Sequence, residues 1–182
     1  MDTAFAWIQQ IADWCGMWVP RWLLLDVTEQ AVKVIRGGAR IVVCKPGKVH
    51  WYWPLCTRCF VHPVARQTIN LKSQTITLKC GKTIVVGGLV VIEVSDIREL
   101  LCNTFSPDEA IKDISLSAVH DVCCQLNWDE IMAAQRDGNL DKQLKQEARR
   151  ELDKYGVRVK KMTLTDLAPC RVLKVVQATT VD

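Results

Sequence analysis

No acidic residue occurs between Gln30 and Ile92, although Asp and Glu make up 20 of the 182 residues. The same stretch carries ten lysines and arginines, so the mild overall charge of +4 is a cancellation between a basic middle and two acidic flanks. Phenylalanine and tyrosine are scarce, three and two, against seven tryptophans. No low-complexity tract or collagen-like period is present, and hydrophobic residues at 49% exclude intrinsic disorder as a description. A charged start, apolar middle and small-residue cleavage site are also missing, and nine cysteines is an odd number. A secreted disulfide framework is therefore not expected, and reduced thiols facing a cytoplasm-like compartment are. No Gly-, Ser- or Pro-rich linker and no internal repeat divides the chain.

The pattern of residues changes near Glu93–Asp96. Before it, β-branched and polar residues alternate between turn signals at Arg36-Gly37-Gly38, Lys45-Pro46-Gly47-Lys48 and Cys80-Gly81. The clearest hairpin joins Gln74–Lys79 to Lys82–Val86, with Ile76, Leu78, Ile84 and Val86 on one face. After Asn103 the period is helical. Ser106-Pro-Asp-Glu109 and Asn127-Trp-Asp-Glu130 have the capping-box form, and Asn139 opens a run whose Leu140, Leu144, Ala148, Leu152 and Tyr155 share a face until Gly156 ends it. A last strand over Val157–Leu164 follows, with Pro169 as the exit. The order helix, strands, helices, strand predicts an α+β fold. The expected organisation is an amphipathic segment over 1–26, a domain over 27–176 with a β-rich part (27–95) and a helix-rich part (96–176), and a tail over 177–182.

Four of the seven tryptophans fall in the first 25 residues. At about 100° per residue, Trp7, Ile11, Trp14, Trp18, Trp22 and Leu25 gather within about 80° on a helical wheel, with Asp2, Gln9, Asp13 and Gly16 opposite. This spacing predicts an amphipathic helix, bent or broken at Pro20. It is a poor spanning helix, because polar residues interrupt it and its apolar part, Trp14 to Leu25, falls short of the ~20 residues a bilayer core requires. Indole suits the lipid interface, being apolar yet carrying an N–H that seeks a headgroup or water. The alternative is that the helix packs on the sheet as core. The basic stretch, led by Lys33, Arg36, Arg40, Lys45 and Lys48, would add about 1 kcal/mol per cation close to an anionic leaflet.

Other motifs resolve into plainer readings. Cys56-Thr-Arg-Cys59 with His62 has metal-ligand spacing but no second well-spaced pair, so no metal or other cofactor is expected. His120, Cys123 and Cys124 stand at i, i+3 and i+4, where thiol and imidazole meet on one helix face, yet no orienting third group or oxyanion donor is legible. No catalytic residue is assigned. The glycine pairs Gly37-Gly38 and Gly87-Gly88 lack the Lys-Ser/Thr of a phosphate loop. The basic block with Trp51, Tyr52 and Trp53 offers a rival function, stacking on single-stranded nucleic acid, though the same rings suit a hairpin core or a lipid surface.

From Val27 to about Val176 the order of features resembles the SPFH family, also called Band 7 or the prohibitin homology domain, which includes stomatins, prohibitins and flotillins. The residues that carry the resemblance are Gln30-Ala-Val-Lys-Val-Ile-Arg-Gly37, the Lys45-Pro-Gly-Lys-Val-His-Trp-Tyr-Trp-Pro54 hairpin, and Gln67-Thr-Ile-Asn-Leu71 with Gln74-Thr-Ile-Thr-Leu78. They continue with the Gly81-Lys-Thr hairpin, Val90–Asp96, Leu152-Asp-Lys-Tyr-Gly-Val-Arg-Val159 and Leu164-Thr-Asp-Leu-Ala-Pro169. The family usually has an acidic residue where this hairpin has Cys80, and a long coiled coil after the last strand, where this sequence has a short tail.

The resemblance implies a non-enzymatic, peripheral or partly inserted membrane protein that self-associates and organises lipids or membrane proteins, a membrane protease among them. The expected partners are an anionic lipid leaflet and further copies of the chain, with nucleic acid the lesser alternative. The mixed charges of the third helical run, Lys145, Arg149, Arg150 and Glu151, are read as a solvated face, with a subunit contact as the hypothesis beside it.

Overall fold

The computed structural model describes Trp7, Trp14, Gly16 and residues 18–170. Its elements run β1 (Arg21–Leu23), β2 (Glu29–Ile35), β3 (Arg40–Cys44), β4 (His50–Tyr52), β5 (Thr57–Pro63), β6 (Gln67–Thr77), β7 (Thr83–Val94), α1 (Ile97–Asn103), α2 (Pro107–Cys124), α3 (Trp128–Arg136), α4 (Asn139–Leu152) and β8 (Val157–Pro169). The mixture of sheet and helix agrees with the expected α+β class. Two compact units interleave along the chain. The first takes Met1–Arg66, Glu93–Pro107 and Lys154–Arg158; the second takes Gln67–Ile92, Asp108–Asp153 and Val159–Asp182.

In the first unit β2 is the central strand of a sheet ordered β3-β2-β5, and β1 pairs with β4 in a separate two-stranded ladder. Ala31, Val32 and Cys44 are buried on these strands, and α1 packs against β2 and β3 with Ile97 and Leu100 inward. The Asp96 carboxylate caps α1, accepting from the amides of Arg98 at 2.9 Å and Glu99 at 3.4 Å. This helix is absent from the sequence reading, although Asp96 with Glu99 three residues on is the pattern that marks a start. The Lys45–His50 loop is closed by the ring of His50, whose Nε2 donates to the Lys45 carbonyl at 2.9 Å, while Gly47 supplies φ 84°.

In the second unit the sheet is ordered β6-β7-β8. The predicted hairpin and its shared face are present, with Ile76 opposite Ile84 and Gln74 opposite Val86, whereas a two-residue Cys80-Gly81 turn would have set Ile76 opposite Val85. Ile76, Leu78, Ile84 and Val86 are all buried. Its turn is one residue longer than the Cys80-Gly81 reading: Gly81 N–H donates to the Leu78 carbonyl and Leu78 N–H to the Lys82 carbonyl, each at 2.9 Å, so three residues form the loop with Gly81 at φ 77°. The β6–β7 ladder slips between Leu71 and Gln74, and the Gln74 amide donates across to the Leu116 carbonyl of α2 at 3.0 Å. Helix α2 begins at Pro107 as predicted, and α3 has its capping box, with the Glu130 carboxylate accepting from Asn127 N–H at 2.7 Å. On α4, Leu140, Leu144, Ala148 and Leu152 are fully buried. A single turn of tighter helix, Asp153–Tyr155, carries the chain to Gly156. The last strand extends to Pro169, five residues beyond the expected end.

Candidate membrane-docking surface

The first unit exposes its tryptophans. Trp7, Trp14, Trp18, Trp22, Trp51 and Trp53 are each more than half accessible, as are Leu24, Val27, Val49 and Leu55. Trp7 and Trp14 are helical residues, and the rest of the predicted amphipathic helix before Trp18, Gly16 apart, lies outside the described residues. Trp22 is not helical: it lies in β1, so a helical face running as far as Leu25 is corrected. With Pro20 lacking the N–H a helix needs, the chain leaves the helical path and pairs as a strand. Leu25 follows that strand in irregular structure and is half-buried. Ile11 lies outside the described residues.

What gathers the rings is pairing between segments. Strands β1 and β4 are antiparallel with Trp22 opposite Trp51, and their rings meet edge to face at 5.6 Å between centroids and 84° between planes. Trp14 and Trp18 make a second such contact at 5.9 Å. The indole of Trp53 donates to the Trp18 carbonyl at 2.7 Å, which ties the loop after β4 to the amino-terminal segment. The surface is thus composite. Trp51 and Trp53 belong to it, and the signal was legible: along His50–Trp53 the alternation of strand residues puts both on one side, with Tyr52 on the other.

The basic residues divide. Arg36, Arg40, Lys45 and Lys48 are exposed. Lys33 is not part of a basic surface, which corrects its assignment. It sits on the central strand, opposite Val42 of β3 and Cys59 of β5, and its ammonium donates to the Trp51 carbonyl at 2.8 Å. Burial pushes the thiols of Cys44 and Cys59 up from their ordinary range, with the Lys33 charge pulling the other way.

The remaining cysteines separate by environment. Cys59 and His62, three apart on β5, point to opposite faces of the strand, and among the described residues no group of three His, Cys, Asp or Glu could hold a metal. On α2, Cys124 Sγ lies 3.4 Å from Nε2 of His120, as the i, i+4 spacing predicts, and His120 Nδ1 is 3.6 Å from Asp121. Both His120 and Asp121 are exposed. Cys123 is fully buried, and burial, with Cys124 beside it adding to the effect, pushes its thiol up to about 11. That thiol is a packing group and not a nucleophile. Cys80, at the β6–β7 turn, is the reverse case: backbone N–H groups of Lys82 and Trp128 hold its thiol below the ordinary range.

On α4, Arg149 pairs with Asp153 at 3.0 Å, and Arg150 pairs with Glu147 and with Glu151. Such exposed intrahelical pairs are each worth about 0.3–0.5 kcal/mol and fit a solvated face. Lys145 is half-buried on the same helix.

Among the described residues no helix is long and apolar enough to cross a membrane. No curated protein matches the chain. A family model does match, over residues 25–180, which takes in every strand and helix described above from β2 onward. The chain therefore belongs to the SPFH domain / Band 7 family.

Proposed function

We propose that this chain is a peripheral membrane scaffold that docks through the composite tryptophan surface of its first unit and assembles laterally with copies of itself. Proteins of the family are typically membrane-associated scaffolds and are generally non-enzymatic. The observation that carries the reading is the exposure of six indoles, five of them joined in two groups by the Trp14–Trp18 and Trp22–Trp51 ring contacts and the Trp53–Trp18 hydrogen bond. A soluble fold usually keeps large apolar patches covered, and a cluster of this kind marks an interaction surface. Indole and nearby cations together suit the headgroup region of an anionic leaflet.

If half of each ring's ~200 Å² leaves water, six rings contribute on the order of 15 kcal/mol before ordering and immobilisation are subtracted, so net binding by one chain is far weaker and reversible. Lateral association multiplies the contacts and makes attachment persistent. Helix α4, with Lys145, Arg149, Arg150 and Glu151, is the surface assigned to that association. Client membrane proteins, a protease among them, would be held by such an array.

The test is flotation with anionic vesicles. The parent chain floats, and the Trp22→Ser, Trp51→Ser, Trp53→Ser triple variant stays in the soluble fraction while keeping its far-ultraviolet spectrum. Equal flotation of both proteins refutes the docking surface. Light scattering on vesicles with and without the Arg149→Glu, Arg150→Glu variant checks the lateral contact.

A further inference from the structure

A groove of about 690 Å³ in the first unit is lined by Val34, Arg36, Pro54, Leu55, Arg58 and Phe60, with neighbouring turn residues. Strand register assembles it. Val34 pairs with Arg58 across β2 and β5, so their side chains share a face, and Phe60 lies two residues further along that same face. Leu55 and Phe60 leave apolar surface open, at 58% and 48% exposure. Arg36 enters from the turn between β2 and β3. It is the one non-glycine among the described residues with positive φ, 51°, and its amide donates to the Cys56 carbonyl at 2.8 Å. The left-handed backbone costs about 1 kcal/mol for a residue with a side chain, and the bond to Cys56 offsets it. The turn carrying one arginine is thus fastened to the loop forming the opposite rim.

Two features define what the groove takes. Arg36 and Arg58 have no carboxylate partner among the described residues, and the sequence supplies none between Gln30 and Ile92. Guanidinium forks without a counter-charge suit a phosphate, which accepts paired hydrogen bonds from each. Val34, Pro54, Leu55 and Phe60 make most of the remaining wall apolar, with Cys56 and Thr57 beside them, and an inorganic ion would leave that apolar surface facing water. The ligand is therefore an amphiphile with a phosphate head. The groove also continues the docking surface, since Pro54 and Leu55 follow Trp53 directly, and the amides of Cys56 and Thr57 donate to the Trp53 carbonyl at 3.2 and 2.9 Å.

We propose that this groove binds the headgroup of a phosphomonoester lipid, with Arg36 and Arg58 on the phosphate and Leu55 and Phe60 against the glycerol and the first acyl methylenes. The assignment rests on the membrane reading above. A phosphomonoester carries a charge near −2, which matches two arginines, whereas a lipid with one negative charge does not.

The experiment uses the whole chain and phosphatidylcholine vesicles carrying either phosphatidic acid or phosphatidylserine, adjusted to equal surface charge. The parent is expected to bind the phosphatidic acid vesicles about tenfold more tightly. Arg36→Gln with Arg58→Gln abolishes that preference yet still binds the phosphatidylserine vesicles as well as Arg40→Gln with Lys48→Gln, which loses the same charge and keeps the preference. Arg58→Gln alone, on an exposed strand position, reduces the preference should the double variant misfold. The groove assignment is overturned if the Arg36/Arg58 variants keep the preference, if the Arg40/Lys48 variant loses it equally, or if inorganic phosphate displaces the protein at matched phosphate concentration. A parent that binds vesicles with no preference overturns the groove alone; a parent that binds no vesicle overturns the docking surface with it.

Discussion

Ser95 donates its hydroxyl to the carbonyl of Gly156 at 2.9 Å, and the amides of Ser95 and Asp96 donate to the same oxygen at 2.8 and 3.0 Å. Three donors on one carbonyl hold the chain that leaves α4 against the end of β7. Gly156 adopts φ 69°, and a Cβ there would collide with the Asp96 carbonyl. Both conditions require glycine.

Replacing Gly156 with alanine is therefore expected to destabilise the fold by more than 3 kcal/mol, roughly 1 from the left-handed backbone and the rest from displacing Asp96. Gly138, at φ 65° with open space around its Cβ direction, is the control, and its alanine variant should lose only about 1 kcal/mol. Urea midpoints of the two variants give the comparison; equal losses would mean that the contact with Asp96 is not what demands glycine.

Removing the Asp96 carboxylate tests the cap of α1. Asp96→Ala is expected to cost about 1 kcal/mol, as for other helix caps, while Asp96→Asn or Asp96→Ser recovers most of it. Hydrogen exchange at the amides of Arg98 and Glu99 should quicken in the alanine variant alone.

Thiol reactivity should follow environment. Iodoacetamide near neutral pH is expected to label Cys80, whose thiol is held down by two backbone amides, well before Cys123, which is buried with its thiol at about 11. Peptide mass spectrometry over time reads the order. Preferential labelling of Cys123 would contradict its burial.

The raised thiol of Cys123 has a further consequence at alkaline pH. The unfolded chain releases this proton near 9.0 and the folded chain near 11, so between those values the unfolded state binds fewer protons and stability falls as pH rises. Below pH 9 the contribution is constant. Cys123→Ala should lower the baseline through a small cavity yet flatten the decline between pH 9 and 11, a slope difference on the order of 2 kcal/mol across the window. Parallel urea titrations at several pH values measure it.

Lys33 separates buried from surface charge. Lys33→Met should leave the salt dependence of vesicle binding unchanged, because its side chain is buried and its ammonium is held at the Trp51 carbonyl, out of reach of lipid phosphates, whereas Lys48→Gln should make binding less sensitive to salt. A salt slope reduced equally by both substitutions would place Lys33 at the lipid surface after all.

Where side-chain period and local capping decide the structure, the sequence was readable. The hairpin face of Ile76, Leu78, Ile84 and Val86, the start of α2 at Pro107, the Asn127–Glu130 box and the buried stripe of α4 all follow from patterns within a dozen residues. The departures lie where distant segments meet. Trp22 fits a helical wheel, yet pairing with Trp51, twenty-nine positions away, takes it into a strand. Lys33 has the composition of a surface residue, but a central strand and a carbonyl from β4 draw it inward. Arg58 is one charge among ten in the sequence, because the groove it shares with Arg36 exists only once β2 and β5 are in register. Helix α1 is the exception, since its start is marked locally by Asp96 and Glu99.

The interleaved course of the chain sets an order for its making. The first unit draws its opening stretch from residues 1–66 and its closing piece, Lys154–Arg158, from almost ninety residues later. Residues 1–66 therefore leave the ribosome well ahead of the segment that finishes their own packing, and a nascent chain halted before Gly156 would present its tryptophans while the carbonyl that fastens Ser95 and Asp96 has yet to be synthesised.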